Sequence, residues 1–250
     1  MSHWSAVAKD VAHRSYPPPA APWVMTMSWC DLCFLHWEVD PIALRALVPA
    51  ALPLDLREGK AWVAVVPFWM DHVTGRFLPD VPGVSRFREL NVRTYVSLND
   101  QPGVYFFSLD ADQALAVWGA RTFFSLNYLN AKITCERSGE EIAYDCERDD
   151  ERAPPGRFVA RYRPSGPVTT ATPGSLEAFL TDRYCLYTVD DEGLPLRAHI
   201  QHGPWPLQPG SCDVDEDTIV PVPLVRSGAP LVHFVSRIDV VGWPIAPVRG

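Results

Sequence analysis

Lysine is nearly absent from this chain: Lys9, Lys60 and Lys132 are the only three among 250 residues. Schiff-base chemistry is thereby limited to three candidate nucleophiles. Positive charge rests instead on arginine, which stays protonated at working pH and suits fixed recognition of anions. Basic stretches interleaved with aromatics are also missing, and the formal net charge is −8. Nucleic acid is therefore a poor partner, because phosphate contacts dominate that kind of affinity, and an anionic surface argues against acidic membranes. No apolar run approaches the ~18 residues of a membrane-crossing helix. Met1 to Asp10 lacks the basic and then apolar pattern of a secretory leader. The expectation is a cytoplasmic protein with six reduced cysteines. Cys30 and Cys33 form a lone C-x-x-C; on a strand the two thiols point to opposite faces, as buried small residues.

Signature motifs are equally scarce. G-x-S-x-G, a Walker loop, G-x-G-x-x-G and H-E-x-x-H do not occur. The acidic run Asp213, Asp215, Glu216, Asp217 lacks the glycine and terminal glutamate of a calcium loop and reads as a solvated loop. His199 and His202 lie three apart, which on a strand turns them to opposite faces, and His36 with Trp37 sits alone on an early strand. Neither a metal nor a cofactor is expected.

What is present is strand pattern. Apolar residues make up 47% of the chain, enough for a core of normal size without metal or disulfide staples. Trp4, Val7, Ala8 and Val11 fall at helical spacing, and Pro17, Pro18 and Pro19 then end the helix. Residues 1–25 therefore read as a helix and proline-rich arm, and 26–250 as one domain. Met27 to Val39 and Trp62 to Met70 are rich in aromatic and β-branched residues and predict strands. Asp40-Pro41 offers an N-cap and first-turn proline for a short helix carrying Leu44, Leu47 and Val48. Glu89 to Leu98 and Val104 to Leu109 predict strands joined by the loop Asn99 to Gly103. Gln113 to Phe124 predicts a helix. Tyr128 to Glu136 and Glu141 to Glu147 flank a turn at Ser138-Gly139, and Asp145 to Gly156 reads as an exposed loop. Further strands are expected at Phe158 to Arg163, Tyr184 to Thr188, Leu196 to His202 and Leu231 to Val241, with a short helix capped by Ser175. Some ten strands with turns between them favour a closed or half-closed barrel over parallel βαβ units.

The stretch Glu89-Leu90-Asn91-Val92-Arg93-Thr94-Tyr95-Val96 carries the chemistry. Period-two alternation puts Glu89, Asn91, Arg93 and Tyr95 on one face. That face is either solvated or the wall of an interior site. A solvated face more often carries Lys, Glu, Ser and Thr than this mix of acid, amide, guanidinium and phenol, and inside a barrel such a row must be hydrogen-bonded. Ser108 and Asp110, on the neighbouring strand, are expected to flank the row, although Asp110 also fits a turn at the strand end. Arg121 either pairs with an interior carboxylate or complements the end of its helix.

Phe34-Leu35-His36-Trp37, Trp62 to Phe68, the Glu89 to Val96 block, Phe106 to Asp110 and Phe179 to Tyr184 together resemble the YqjF-like family of bacterial proteins, over about residues 27 to 245. That family is similar in turn to acetoacetate decarboxylase. The resemblance implies a mainly β (α+β) fold: a closed, cone-shaped antiparallel β-barrel with a few flanking short helices and a central cavity. In the decarboxylases a buried lysine forms the imine and a glutamate on a neighbouring strand assists. Glu89 matches that glutamate in strand context, whereas Tyr128 stands where the lysine is expected, so imine chemistry is disfavoured. If Tyr128 starts a strand, Lys132 shares a face with Tyr128 and Asn130; it then either reaches the cavity or is a surface lysine at the strand end.

The expected ligand is a small carboxylate or β-dicarbonyl, held by Arg93, Asn91, Ser108, Asp110 and Arg121. Glu89 would move a proton, and Tyr128 or Tyr95 would donate to a developing enolate. A binding domain without turnover is the alternative. In a third reading the row is a structural network in which Arg93 neutralises a buried Glu89. Assembly with a second copy of the chain is left open.

Overall fold

The long apolar runs do become strands, and they are longer than their composition predicts. In the computed structural model, which describes residues 2–115, 117–118 and 126–248, the strands are β1 (Met25–Val39), β2 (Ala61–Gly75), β3 (Phe87–Leu98), β4 (Gln101–Ala111), β5 (Tyr128–Ser138), β6 (Glu141–Arg148), β7 (Arg157–Pro164), β8 (Cys185–Val189), β9 (Pro195–His202), β10 (Gln208–Asp217), β11 (Ser227–Gly242) and β12 (Ala246–Pro247). Short helices accompany them, three of them lying wholly within the described residues: α1 (His3–Val7), α2 (Pro41–Arg45) and α3 (Leu176–Thr181). Each has the cap that its sequence offers. Asp40 accepts from the amides of Ile42 and Ala43 ahead of Pro41, and Ser175 accepts from Ala178. The helix predicted over Gln113 to Phe124 falls largely outside the described residues.

All strands join one sheet, which closes on itself twice. A shared wall runs β4-β3-β2-β1-β11. On one side β8 and β9 bridge β4 to β11, giving a seven-stranded ring; on the other, β5, β6, β7 and β10 bridge the same two strands, giving a nine-stranded ring. Both closures are possible because the outer edges of β4 and β11 are each divided between two partners. β4 pairs with β8 through Val104 and Tyr105 and with β5 through Leu109 to Ala111, both in parallel. β11 pairs with β10 at His233 and Phe234 and with β9 from Val240 to Gly242. The barrel is thus mixed rather than purely antiparallel.

Strand alternation then decides which lumen each side chain enters. Leu35, Val65, Leu90 and Val92 pack into one apolar cluster; Phe34, Val66, Phe68 and Phe87 pack into another on the opposite face. Both faces of β3 are covered, so the row Glu89, Asn91, Arg93 and Tyr95 is buried and not a solvent face.

Two local expectations need correction, and a third point left open is decided. The β3–β4 turn is two residues, Asn99 and Asp100, both left-handed (φ 53° and 55°), the geometry of a tight hairpin. Gly103 instead belongs to the strand, where a Cβ would lie 2.6 Å from the Cys185 carbonyl oxygen; glycine is needed there for the close approach of β8. Asp213 to Asp217 is not a loop but the end of β10, whose outward acids meet arginines of β7: Arg161 reaches Asp215 at 2.9 Å and Arg157 reaches Glu216 at 3.5 Å. Lys132 points out of the barrel, three-quarters exposed, and holds Asp149 at 2.9 Å.

Candidate functional site

A cavity of about 320 Å³ occupies the seven-stranded lumen. β3 supplies its polar side. Glu89, Asn91 and Arg93 all border it, since alternation on a doubly covered strand leaves them no other place. Two strands over, Tyr128 at the start of β5 lies beside Leu109 of β4 and donates its hydroxyl to Glu89 Oε2 at 2.7 Å. Burial raises the Glu89 pKa to about 7, although the hydrogen bonds from Tyr128 and Asn91 pull the other way. Glu89 is thus poised between acid and carboxylate near neutral pH. Burial also pushes the Tyr128 phenol well up, and the facing carboxylate adds to this, so Tyr128 stays a proton-bearing donor.

Arg93 lies deeper along the same strand face. Its Nη2 is 3.5 Å from the Leu180 carbonyl, at the limit of a hydrogen bond, and its Nε has no partner. The guanidinium sits 5.0 Å from the Phe34 ring centroid. No carboxylate of the described residues lies within 4.0 Å of it, unlike the buried Arg148 and Arg183, which pair with Asp110 and Asp55. Burial lowers its pKa, but a guanidinium remains charged at any working pH. Asn91 Oδ1 is likewise buried without a partner. Native proteins seldom leave such groups unsatisfied unless something else completes them.

Other expected members lie elsewhere. Ser108 and Asp110 do not flank the Glu89 row: a β-bulge between the pairs Arg93–Phe106 and Val92–Ser108 turns Phe106 toward the cavity and Ser108 and Asp110 into the nine-stranded lumen. There Arg148 binds both, with Nε on Asp110 Oδ1 at 2.7 Å and Nη2 on Ser108 Oγ at 3.0 Å. Tyr95 continues the row but does not border the cavity; it packs on Phe179 and Leu180 of the α3 region behind Arg93. Arg121 lies outside the described residues. The ion pair between Glu89 and Arg93 required by the structural reading is also missing, since Glu89 is held by Tyr128 and Asn91. None of the three lysines borders the cavity.

Sequence reasoning missed the rest of the lining. His199 of β9 borders the cavity, with burial lowering its pKa to about 4, so its imidazole is neutral there. Trp205 closes one wall, donating Nε1–H to the Thr181 carbonyl at 2.8 Å. Met25, Met27 and Met70 line the far end. One signal for them was visible: apart from Met1 they are the only methionines in the chain. Among the described residues no cluster of metal-ligating side chains occurs, and no helix is long and apolar enough to cross a membrane.

Residues 26–239 match the family model DUF2071, described as an uncharacterized conserved protein. The uncharacterized protein YqjF of Bacillus subtilis is 42% identical over 230 residues, which cover 91% of this chain and 93% of YqjF. Among solved structures, the enduracididine biosynthesis enzyme MppR complexed with pyruvate superposes with a TM-score of 0.60 at 14% identity, covering 94% of this chain and 93% of MppR. Acetoacetate decarboxylase from Legionella pneumophila superposes with a TM-score of 0.55 at 14% identity, covering 97% and 96%. At such identities the likeness is one of fold, which is that of the acetoacetate decarboxylases. The chain belongs to the DUF2071 family.

Proposed function

We propose that this DUF2071 protein binds an oxo acid or similar carboxylate in the seven-stranded lumen and moves a proton on it. The observation that carries the reading is the pairing, in one cavity, of a buried guanidinium without a carboxylate partner and a buried glutamate poised near neutral pH. A carboxylate ligand would give Arg93 its missing counter-charge through two parallel hydrogen bonds. Glu89 would take a proton from the carbon next to the carbonyl, the electron pair moving onto the carbonyl oxygen to form an enolate. Tyr128, hydrogen-bonded to Glu89, and Asn91 are the neighbouring donors. A glutamate with a pKa near 7 has a sizeable fraction of each protonation state at working pH, as proton transfer in both directions requires. Enolisation begins with such a step, and so does dehydration of a 3-hydroxy carbonyl compound, in which the enolate then expels hydroxide.

Two neighbours in fold support the ligand class: one is complexed with pyruvate, the other is named for acetoacetate. The lysines argue against an imine route, because Lys60 and Lys132 are tied to Glu38 and Asp149 at the surface and Lys9 is exposed. That same observation favours the second reading, binding without turnover. The six free thiols suit a reducing compartment such as the cytoplasm.

The test is a thermal-shift panel of 2-oxo and 3-oxo acids and their methyl esters against the native protein, Arg93→Met and Glu89→Gln. The expected result is stabilisation by acids and not by esters, about 2.7 kcal/mol at a hundredfold excess over Kd, lost in Arg93→Met. Equal shifts with Arg93→Met, or none with any acid, would overturn the carboxylate reading. Mass spectrometry of the recovered ligand separates turnover from binding alone.

A further inference from the structure

The cavity is much longer than its polar part. Strand register orders its lining. Arg93 faces Ala64, Asn91 faces Val66, Glu89 faces Phe68 and Phe87 faces Met70, in successive pairs of β3 and β2. At ~3.3 Å per residue, Phe87 lies about 20 Å from Arg93 along the strand and Glu89 stands between them. Beyond Glu89 the wall changes character. Met70 pairs with Trp29 on β1, and Met25, Met27 and Trp243 continue the surface. This end holds no charged side chain among the described lining residues. It ends in half-buried Met25, Trp29 and Val73.

Resting on the carboxylate reading above, we infer that the ligand is an amphipathic acid, with its carboxylate on Arg93 and an apolar tail, alkyl or aryl, running past Glu89 into the methionine and tryptophan chamber. A three- or four-carbon oxo acid would leave that chamber unfilled, whereas a cavity of this volume is in the range that takes drug-sized ligands. Methionine has the adaptable, polarisable side chain that moulds to varied apolar shapes and contacts aromatic rings favourably. All three methionines after Met1 converge on this one place. Gly242 keeps the chamber open: a Cβ there would come within 3.0 Å of Met25 Cγ and 3.4 Å of its Sδ, pushing a flexible side chain toward the lumen. The polar end thus selects the acid and the bond acted on, and the apolar end selects the length of what is attached.

Calorimetric titration with unbranched 2-oxo acids from pyruvate to 2-oxodecanoate, with phenylpyruvate and with the matching 2-alkanones tests this. The native protein should bind more tightly with chain length, by about three- to fourfold per buried methylene, until the chamber is full. Gly242→Ala should flatten that slope, and so should Met25→Ala, whose half-buried position makes it the safer variant to fold. Phenylpyruvate binding more tightly than alkyl acids of equal carbon count assigns the tail as aryl, the reverse as alkyl. Affinity independent of tail length, with pyruvate bound and lost in Arg93→Met, would overturn the tail and leave the carboxylate reading intact. Alkanones binding as tightly as the acids would keep the tail chamber and overturn the role of Arg93. No binding by either series would overturn both.

Discussion

Glu89 is the residue on which stability and chemistry meet. Its pKa is about 7 in the fold against an ordinary 4.5, so between those values the folded chain binds a proton that the unfolded chain releases. The protonated form favours the fold; that contribution is present in full below pH 4.5 and is lost as pH rises through 7. The loss is on the order of 3 kcal/mol. Glu89→Gln, which cannot ionise, should therefore remove this part of the pH dependence and melt at a higher temperature than the parent at pH 8, with little difference at pH 5. Denaturation at the two pH values checks this; a parent whose stability does not fall across the interval would show that Glu89 is not held near 7. The polar row was legible at this scale, because alternation alone puts Glu89, Asn91 and Arg93 on one face. Its end was not legible: Tyr95 has the right phase and belongs to another layer, since α3 covers that part of the strand from a distant point in sequence.

Among the elements, β4 has the most to reconcile. It must pair with β3 throughout, with β8 at one end and with β5 at the other, while sending side chains into two lumens. The bulge beside Ser108 does this, and no sequence pattern marks it. Asp110 consequently holds the wall of the nine-stranded lumen to β6 through Arg148, a pair with both side chains almost wholly buried. Asp110→Asn would leave the Arg148 guanidinium buried against a neutral amide. The expected cost is about 3–5 kcal/mol, read as a fall in Tm of roughly 10 °C. Carboxylate binding should survive at temperatures where the variant is folded, because Asp110 does not touch the cavity. Loss of binding in folded Asp110→Asn would restore it to the site. Gly103→Ala tests the other end of β4. A methyl group 2.6 Å from the Cys185 carbonyl and 2.7 Å from Tyr187 must drive β8 away, so the seven-stranded ring should weaken and the apparent affinity for any lumen ligand fall with it. The β3–β4 hairpin itself was readable from Asn99-Asp100. The glycine beside it was misread as part of the turn because its reason lies on a strand some eighty residues further along.

The whole molecule is two closed lumens that share one wall, and this explains why its strands read as nearly continuous apolar runs rather than as clean alternations. β1 is buried at almost every position because each face has its own core. Native-state hydrogen exchange should find the slowest amides in β1, β2 and β3, which are flanked by strands on both edges and open only with global unfolding, and faster exchange in β12 and α1 at the periphery. Slow exchange confined to one ring would mean that the two lumens open independently. A barrel and its interior polar row could be anticipated from strand count, turn spacing and family resemblance. The second closure could not, because it depends on short parallel contacts between β4 and strands far along the chain, three residue pairs with β5 and two with β8. The methionine and tryptophan chamber was hidden for the same reason: its lining is gathered from β1, β2, β9 and β11, and no single stretch of sequence announces it.

The central question is whether Glu89 moves a carbon-bound proton on an acid held by Arg93. Proton NMR of 2-oxooctanoate in D₂O at pH 7 follows that step without knowledge of the final product. The native protein is expected to wash deuterium into the C3 position at a rate 10²–10⁴-fold above a protein lacking the general base, with the effect lost in both Glu89→Gln and Arg93→Met. Bound acid with exchange no faster than in buffer would contradict the catalytic claim and leave a carboxylate-binding protein in its place.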